Sequence, residues 1–367
     1  MPSNANDKPR LLLMGDARQV HLKRWAEYFI DAGYEVASFS LERPDSYPGH
    51  IRHLRVPVFL PHFVRYLLAV PAVKDMIRRL DPHVINAHFV PNYGMIAAVA
   101  GHKPWVLSTW GSDIMTDPEK SPFHRFRTRH VLHRATRITS DARVMTEKIV
   151  SMGVPAGRVI TFPFGVDLDK FGPGTDPLEG GPRILSNRKL APVYSVDTVI
   201  DAFPAVRETL RQAALTVAGD GELRADLTAR AERSIARRAI VFVGNVDHDR
   251  VPALLKDHHI FVSTALSDTT SVSLLEAMAC GLFPIVSDIP ANREWIEDGV
   301  NGRLVPVQQP MQLAVSIIEA WKDAPLRERA LRANLELVRS RAEWQASMRP
   351  VKELFDELTG LDIQSGT

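Results

Sequence analysis

One stretch joins hydroxyl side chains, two carboxylates and a helix start. In "SDTTSVSLLEAMACG" (Ser267–Gly281), Asp268 stands ahead of an apolar helix and Glu276 stands within it. The strand-like run "HIFVSTA" ends near Ala265 and the helix is expected to begin near Ser271. Residues Asp268 to Ser273 therefore fall at a helix N-terminus on the carboxyl side of a sheet. Unpaired backbone N–H groups and the helix dipole favour an anion there, and phosphate is the natural candidate. Thr269, Thr270 and Ser271 are small enough to let a ligand approach the backbone, and their hydroxyls add donors ahead of Val272. Glu276, in the second turn, can accept hydroxyl donors. The same residues also fit a plainer description: Asp268 or Ser271 caps an ordinary core helix, and Glu276 lies at its solvent edge.

These groups need a scaffold, and the sequence alternates in the way a parallel sheet requires. "RLLLMGD" reads as a buried strand feeding a glycine turn at Gly15. A helix with Val20, Trp25, Tyr28 and Phe29 at helical spacing follows, with Gly33 as its stop signal, and then the strand "YEVASFSL". "HVINAHF", "WVLSTWGSD" and "ATRITSD" continue the series. The Gly/Pro-rich "FGPGTDPLEGGP" (Phe171–Pro182) reads as a linker. Alternation resumes with "RILSN", "ALTVAGDGE", "AIVFVGNV", "HIFVSTA", "FPIVSD" and "GRLVPV". The expectation is an α/β protein of two Rossmann-like, doubly wound parallel-sheet domains facing a cleft, with ligands outside the carboxyl ends of the strands. An N-terminal domain over 1–170, a linker over 171–182 and a second domain over 183–342 follow. The amphipathic segment over 343–367 is the last element.

Composition narrows the classes. With 367 residues and 45% hydrophobic content, the chain can bury two sizeable cores. The first ten residues carry no apolar core of a secretory signal, and no apolar run approaches a membrane span. A single cysteine, Cys280, fits a reducing, cytoplasmic setting. The net charge of +2 conceals an asymmetry. The first 165 residues hold 22 Lys/Arg against 14 Asp/Glu, and the remainder is acidic overall. Opposite signs in the two halves suggest different partners, although solvated charged faces would look the same.

The run "SDTTSVSLLEAMACGLFPIVSDIPANREWIEDGVNGRLVPV" resembles the C-terminal signature of the family-4 retaining glycosyltransferases, which have the GT-B fold. In that family the first acid contacts the donor sugar and the second the nucleotide ribose. The resemblance implies these roles for Asp268 and Glu276. "ILSNRKLAPVYSVDTVIDAF" resembles the segment that grips the donor diphosphate, implicating Arg188 and Lys189; Tyr194 stands near the usual second cation, a lysine. "VAGDGELRADL" and "IVFVGNVDHDRVPALL" are similar to the family's glycine turn and base-pocket strand, implicating Gly219, Asn245 and Val246. "FPFGVDLDKF" resembles the segment before the linker, and "AEWQASMRPVKELF" the helix that crosses back to the first domain. In the first half, "GDARQVHLKRWAEYFIDAGYEV" resembles the opening loop and helix with Gly15, while "NAHFVPNYG" and "STWGSDI" resemble acceptor-side loops. Many relatives carry His where Trp110 stands. His88 and Asp113 remain as polar groups at strand ends, and His88, His21 and Arg24 fit either a structural or a substrate-contacting role. The resemblance spans roughly residues 10–357.

The resemblance implies a retaining transfer of sugar from a UDP- or GDP-sugar to a hydroxyl acceptor. Cations and a helix N-terminus would stabilise the leaving diphosphate. No Asp-X-Asp pair is read at a strand end, so no metal or other cofactor is expected. Two alternatives share the fold: a nucleotide-sugar 2-epimerase and a noncatalytic nucleotide-sugar-binding protein. "HFVRYLLAVPAVKDMIRRL" (His62–Leu80) and "HRFRTRHVLHRATR" (His124–Arg137), the latter with five arginines, mix basic and apolar residues. Such segments suit an anionic membrane surface or a core-packed helix. The expected setting is a lipid-linked acceptor in polysaccharide or lipopolysaccharide assembly, at the inner face of the cytoplasmic membrane, with no nucleic acid involved.

Overall fold

The computed structural model describes residues 8–57, 59–174 and 180–361, apart from the side chains of His62 and Phe63. The chain divides into two compact units, 1–162 with 348–367, and 163–347.

In the first unit seven strands form one parallel sheet: β1 (Arg10–Met14), β2 (Glu35–Ser40), β3 (His50–His53), β4 (Val84–His88), β5 (Trp105–Ser108), β6 (Arg137–Ser140) and β7 (Val159–Thr161). Their order is β3-β2-β1-β4-β5-β6-β7. The order reverses between β1 and β4, where Leu11 pairs with Val84 and Met14 with Ala87. Strands with helices on both sheet faces must be apolar throughout. Leu11, Leu12, Leu13 and Met14 are accordingly all fully buried. One face packs Phe39, Tyr93, Trp105 and Val131 into a common core. On the helix Val20–Asp31, the Trp25 and Phe29 rings meet Phe355 of the last helix, Trp344–Thr359, at 6.3 and 4.8 Å. Tyr34 Oη also donates to Asp356 at 2.5 Å. The last helix is thus part of the first unit's core from Met348 onward.

The second unit carries β8 (Arg183–Asn187), β9 (Ala214–Ala218), β10 (Ile240–Gly244), β11 (Ile260–Ser263), β12 (Phe283–Ser287) and β13 (Arg303–Val305). They form a parallel sheet in the order β10-β9-β8-β11-β12-β13. Its reversal lies between β8 and β11, where Ile184 pairs with Ile260. One cluster packs the helix Val196–Thr209 and another packs the helix Val272–Ala279 against the sheet.

The boundary between the two units falls earlier in the chain than the expected one. The segment before the expected linker belongs to the second unit: Val166 and Phe171 are buried in its core, and Val166 bridges to Glu343. Packing of these two apolar side chains moves the boundary to Phe162/Pro163. Residues 175–179 of the expected linker lie outside the described residues. The strands β3 and β7 did not stand out in the sequence. β3 is short, charged and half-buried, and β7 has three residues.

Candidate functional site

In the second unit the chemistry-bearing residues gather at the carboxyl ends of β8, β9 and β11, around the reversal point. Arg188 follows β8. Its Nη2 donates to Asp268 at 2.6 Å, and its Nη1 donates to Ser271 Oγ at 2.5 Å and Ser273 Oγ at 2.8 Å. The guanidinium lies over the Tyr194 ring, 4.3 Å from its centroid. Tyr194 thus lays an aromatic face against the guanidinium and helps to orient it. Arg188 is a buried charge, with its side chain 8% exposed, and Asp268 is its counter-ion. One donor, Nε, is buried with no partner among the described residues. Lys189 is exposed beside it.

The β9 turn explains why this arginine is held where it is. Gly219 has φ +126, and a Cβ there would overlap the Arg188 carbonyl oxygen. A Cβ at Gly221 would overlap the Leu190 carbonyl oxygen. Only glycine permits that backbone-to-backbone approach.

The helix Val272–Ala279 is capped by Ser271, whose Oγ accepts from Leu274 N. The cap is therefore Ser271. Asp268 is engaged elsewhere, with its other oxygen accepting from Thr269 N at 3.0 Å. Thr269, Thr270 and Ser271 are buried at the helix start, and Val272 is half-buried. Glu276 is buried, not at a solvent edge, and His248 Nδ1 lies 3.8 Å from its Oε1. The structure thus brings Arg188, Asp268, Ser271 and Gly219 together, with Glu276 one helical turn further on. Asn245 is exposed and Val246 half-buried beyond β10.

Ser273 and His248 escaped the sequence reading. Ser273 sits inside the quoted signature, and a hydroxyl two residues past the cap was its signal. His248 stands in "NVDHD", just after the strand assigned to the base pocket. That triplet also corrects a point: Asp247 and Asp249 form an Asp-X-Asp pair three residues beyond β10, and Asp167 and Asp169 form another. Asp247, Asp249 and Asp169 are exposed, and Asp167 is turned to Lys170 and its own loop. Among the described residues no three His, Cys, Asp or Glu side chains converge as a metal site.

The first unit has its own cavity, of about 380 Å³, at its reversal point. Asp16, Gln19 and His21 line it after β1, His88 at the end of β4 with Phe89 and Asn92 just beyond, and Trp110 after β5. Gly15 lies beside His88, so it groups with this cavity. His88 Nδ1 accepts from Trp110 Nε1 at 3.1 Å. Burial, reinforced by His21, pushes the His88 pKa down to about 3. The ring is therefore neutral with its proton on Nε2, which has no partner among the described residues. In this arrangement His88 offers no free lone pair. Asp113 does not line the cavity. It is fully buried and accepts from Val90 N at 3.0 Å and Trp110 N at 2.9 Å. Burial raises its pKa to about 6 despite those bonds. Its place is behind the two loops, which it ties together. Phe89, at φ +74, holds a left-handed conformation rare for a bulky residue at the start of one of them.

Two parallel, doubly wound units, one with a buried arginine at a capped helix start, have the architecture of the GT-B fold, the class that the sequence resemblance implies. The model of the Glycosyl transferases group 1 family matches residues 174–335, and that of the Glycosyl transferase 4-like family matches residues 10–142. The chain belongs to the family-4 glycosyltransferases of group 1. It is 24% identical to the phosphatidyl-myo-inositol mannosyltransferase of Mycobacterium leprae over 363 residues, covering 92% of each protein. Its fold matches sucrose-phosphate synthase from Thermosynechococcus elongatus with a TM-score of 0.83 at 17% identity, over 96% of this chain and 100% of that one. Anabaena HepE, solved with UDP-glucose, matches with a TM-score of 0.79 at 16% identity, over 95% and 99%.

Proposed function

We propose that this glycosyltransferase moves a sugar, with retention of anomeric configuration, from a UDP- or GDP-sugar to a hydroxyl of a lipid-linked acceptor. The Arg188 cluster at the reversal point of the second sheet is the observation that carries this reading. Arg188, with its spare buried Nε–H, and Lys189 neutralise the leaving diphosphate, and the helix start at Ser271 supplies further N–H donors. Glu276 accepts the ribose hydroxyls, and Asp268 contacts the transferred sugar. The base lies near Asn245, Val246 and His248. The acceptor hydroxyl enters the first unit's cavity, among Asp16, His21, Asn92 and Trp110. The leaving phosphate oxygen takes the acceptor proton, which suits a site where His88 has no free lone pair. Two cations and a helix dipole meet the charge demand, so no divalent metal is needed.

The lipid acceptor finds support in the mannosyltransferase relative, whose name specifies phosphatidyl-myo-inositol. Among the described residues no helix is long and apolar enough to cross a membrane. The protein then works as a peripheral enzyme on the inner face of the cytoplasmic membrane.

The test is transfer from a panel of radiolabelled UDP- and GDP-sugars to membrane lipid extracts, with and without chelator, followed by NMR of the product's anomeric centre. A product of retained configuration that forms equally with chelator is expected. An inverted product, or transfer that needs added magnesium or manganese, overturns the corresponding part of the proposal.

A further inference from the structure

The helix Pro122–Arg134 carries a face that the transfer reaction does not use. Ser121 caps it, its Oγ accepting from His124 N. The inward side buries Arg127, Thr128, Val131 and Leu132, and Arg127 forms an ion pair with Asp117. The outward side is unusual for a water-facing helix. Phe123 is 62% exposed and Phe126 69%. Three positions apart, they are neighbours on the helix surface.

Arg125, Arg129, His130, His133 and Arg134 share that outward side and line a shallow hollow of about 810 Å³. Glu119 is the one acid among the lining residues, and it is already neutralised by Arg125 at 2.7 Å and Lys148 at 2.6 Å. Arg129 has no acidic partner among the described residues. Two projecting aromatic rings beside Arg129 and the net-positive group of Arg125, Lys148 and Glu119 match one kind of surface. The rings suit the boundary between headgroups and acyl chains, and the arginines suit lipid phosphates just outside it. Apolar area left in water is a cost that this contact removes.

We propose that the outward face of Pro122–Arg134 docks on an anionic bilayer, with Phe123 and Phe126 inserted and Arg129 paired to lipid phosphate. This deepens the lipid-acceptor reading by giving the enzyme's first unit a membrane-facing surface. The binding step itself needs no nucleotide sugar. A basic aromatic helix could instead serve single-stranded nucleic acid, and the experiment separates the two.

The full-length protein is floated with vesicles of phosphatidylcholine alone and of phosphatidylcholine containing one-third phosphatidylglycerol, at low and high salt. Binding is expected only with phosphatidylglycerol and should fade with salt. Phe123→Ser/Phe126→Ser and Arg129→Glu should each weaken it by roughly tenfold or more. Both variants replace exposed side chains, so thermal melts should match the parent. Transfer to a detergent-dispersed acceptor should also be unchanged in the double variant. Equal binding to neutral and anionic vesicles, or variants that bind like the parent, would overturn the proposal. So would loss of single-stranded RNA binding in the variants of a protein that binds no vesicles. Transfer without vesicle binding refutes the docking face alone, and vesicle binding without transfer refutes the lipid-acceptor reading alone.

Discussion

Asp268→Asn should tighten the binding of a free nucleoside diphosphate while lowering sugar transfer. The sign follows from the Arg188 cluster. A phosphate that recruits Arg188 must take over donors that are already engaged, and the 2.6 Å bond from Nη2 to Asp268 is the charge-assisted one. A hydrogen bond to a charged group contributes about 1.5–3 kcal/mol, and a neutral one about 0.5–1.5 kcal/mol. Replacing the carboxylate with an amide lowers the cost of releasing Arg188 by about 1–1.5 kcal/mol, which is roughly a 5- to 12-fold tighter Kd. The lost carboxylate can no longer contact the sugar, so transfer from the full donor should fall. The substitution leaves Arg188 in a pocket without its counter-ion. A fall of a few degrees in Tm is therefore expected, and Ser271, Ser273 and Tyr194 keep the guanidinium in place. Calorimetry with UDP and GDP, transfer rates with the donor sugar, and melts on parent and variant make the measurement. Weaker nucleoside diphosphate binding in a variant that melts normally would refute the reasoning, because Asp268 would then be helping to hold the phosphates.

Glu276→Gln should cost nucleotide affinity by about 1.5–3 kcal/mol, or roughly 10- to 150-fold in Kd, with little change in Tm; unchanged calorimetry would return Glu276 to a structural role. Gly219→Ala should weaken nucleotide binding by about tenfold or more, because a Cβ would push the Arg188 backbone away, whereas Gly157→Ala, with nothing within 4 Å, should be silent. The buried His88 makes an acid-sensitive contribution. Its folded pKa, about 3, lies below the ordinary 6.5, so its stabilisation is complete above pH 6.5 and is lost as pH falls towards 3. Asp113, raised to about 6, works the other way, gaining stability as pH falls from 6 towards 3.8. Between pH 7.5 and 4.5 the two terms are about 3 kcal/mol lost and about 2 kcal/mol gained. The stability gap between parent and His88→Gln in urea titrations should therefore narrow by about 3 kcal/mol over that range, and a constant gap would show that His88 is not buried neutral.

Much of the fold was legible because parallel strands buried on both faces write themselves as apolar runs. β1, β4, β11 and β12 are buried along nearly their whole length, and β1, β11 and β12 each run into a glycine, hydroxyl or acidic residue. β3 left no such trace: its residues, "HIRH", are only half-buried or exposed at the edge of the sheet. The division into compact units falls at Phe162/Pro163, ahead of the compositional break, for a related reason. Local composition marks Phe171–Pro182 as a break, but long-range packing decides the unit boundary, and Val166 and Phe171 are claimed by a core that no local window contains.

The site divides along the same line between local and long-range information. The helix-start acids were legible because Asp268, Ser271 and Glu276 are neighbours in one helix-sized window. The partnership of Arg188 with Asp268, Ser271 and Ser273 was not, because it joins residues 80 to 85 positions apart across the sheet's reversal point. Tyr194 shows what that distance hides. Read locally, it is a missing cation; placed against the guanidinium at 4.3 Å, it restricts Arg188. A lysine there would add charge to the proposed diphosphate site but would repel Arg188, whereas the ring adds no charge and holds a planar fork in a fixed plane. The orientation of Arg188 is therefore fixed by two serines, one carboxylate and one ring. It follows that substitutions at Tyr194 should act on nucleotide affinity through Arg188. Tyr194→Ala combined with Arg188→Lys should cost less than the sum of the two, since each removes the same constraint.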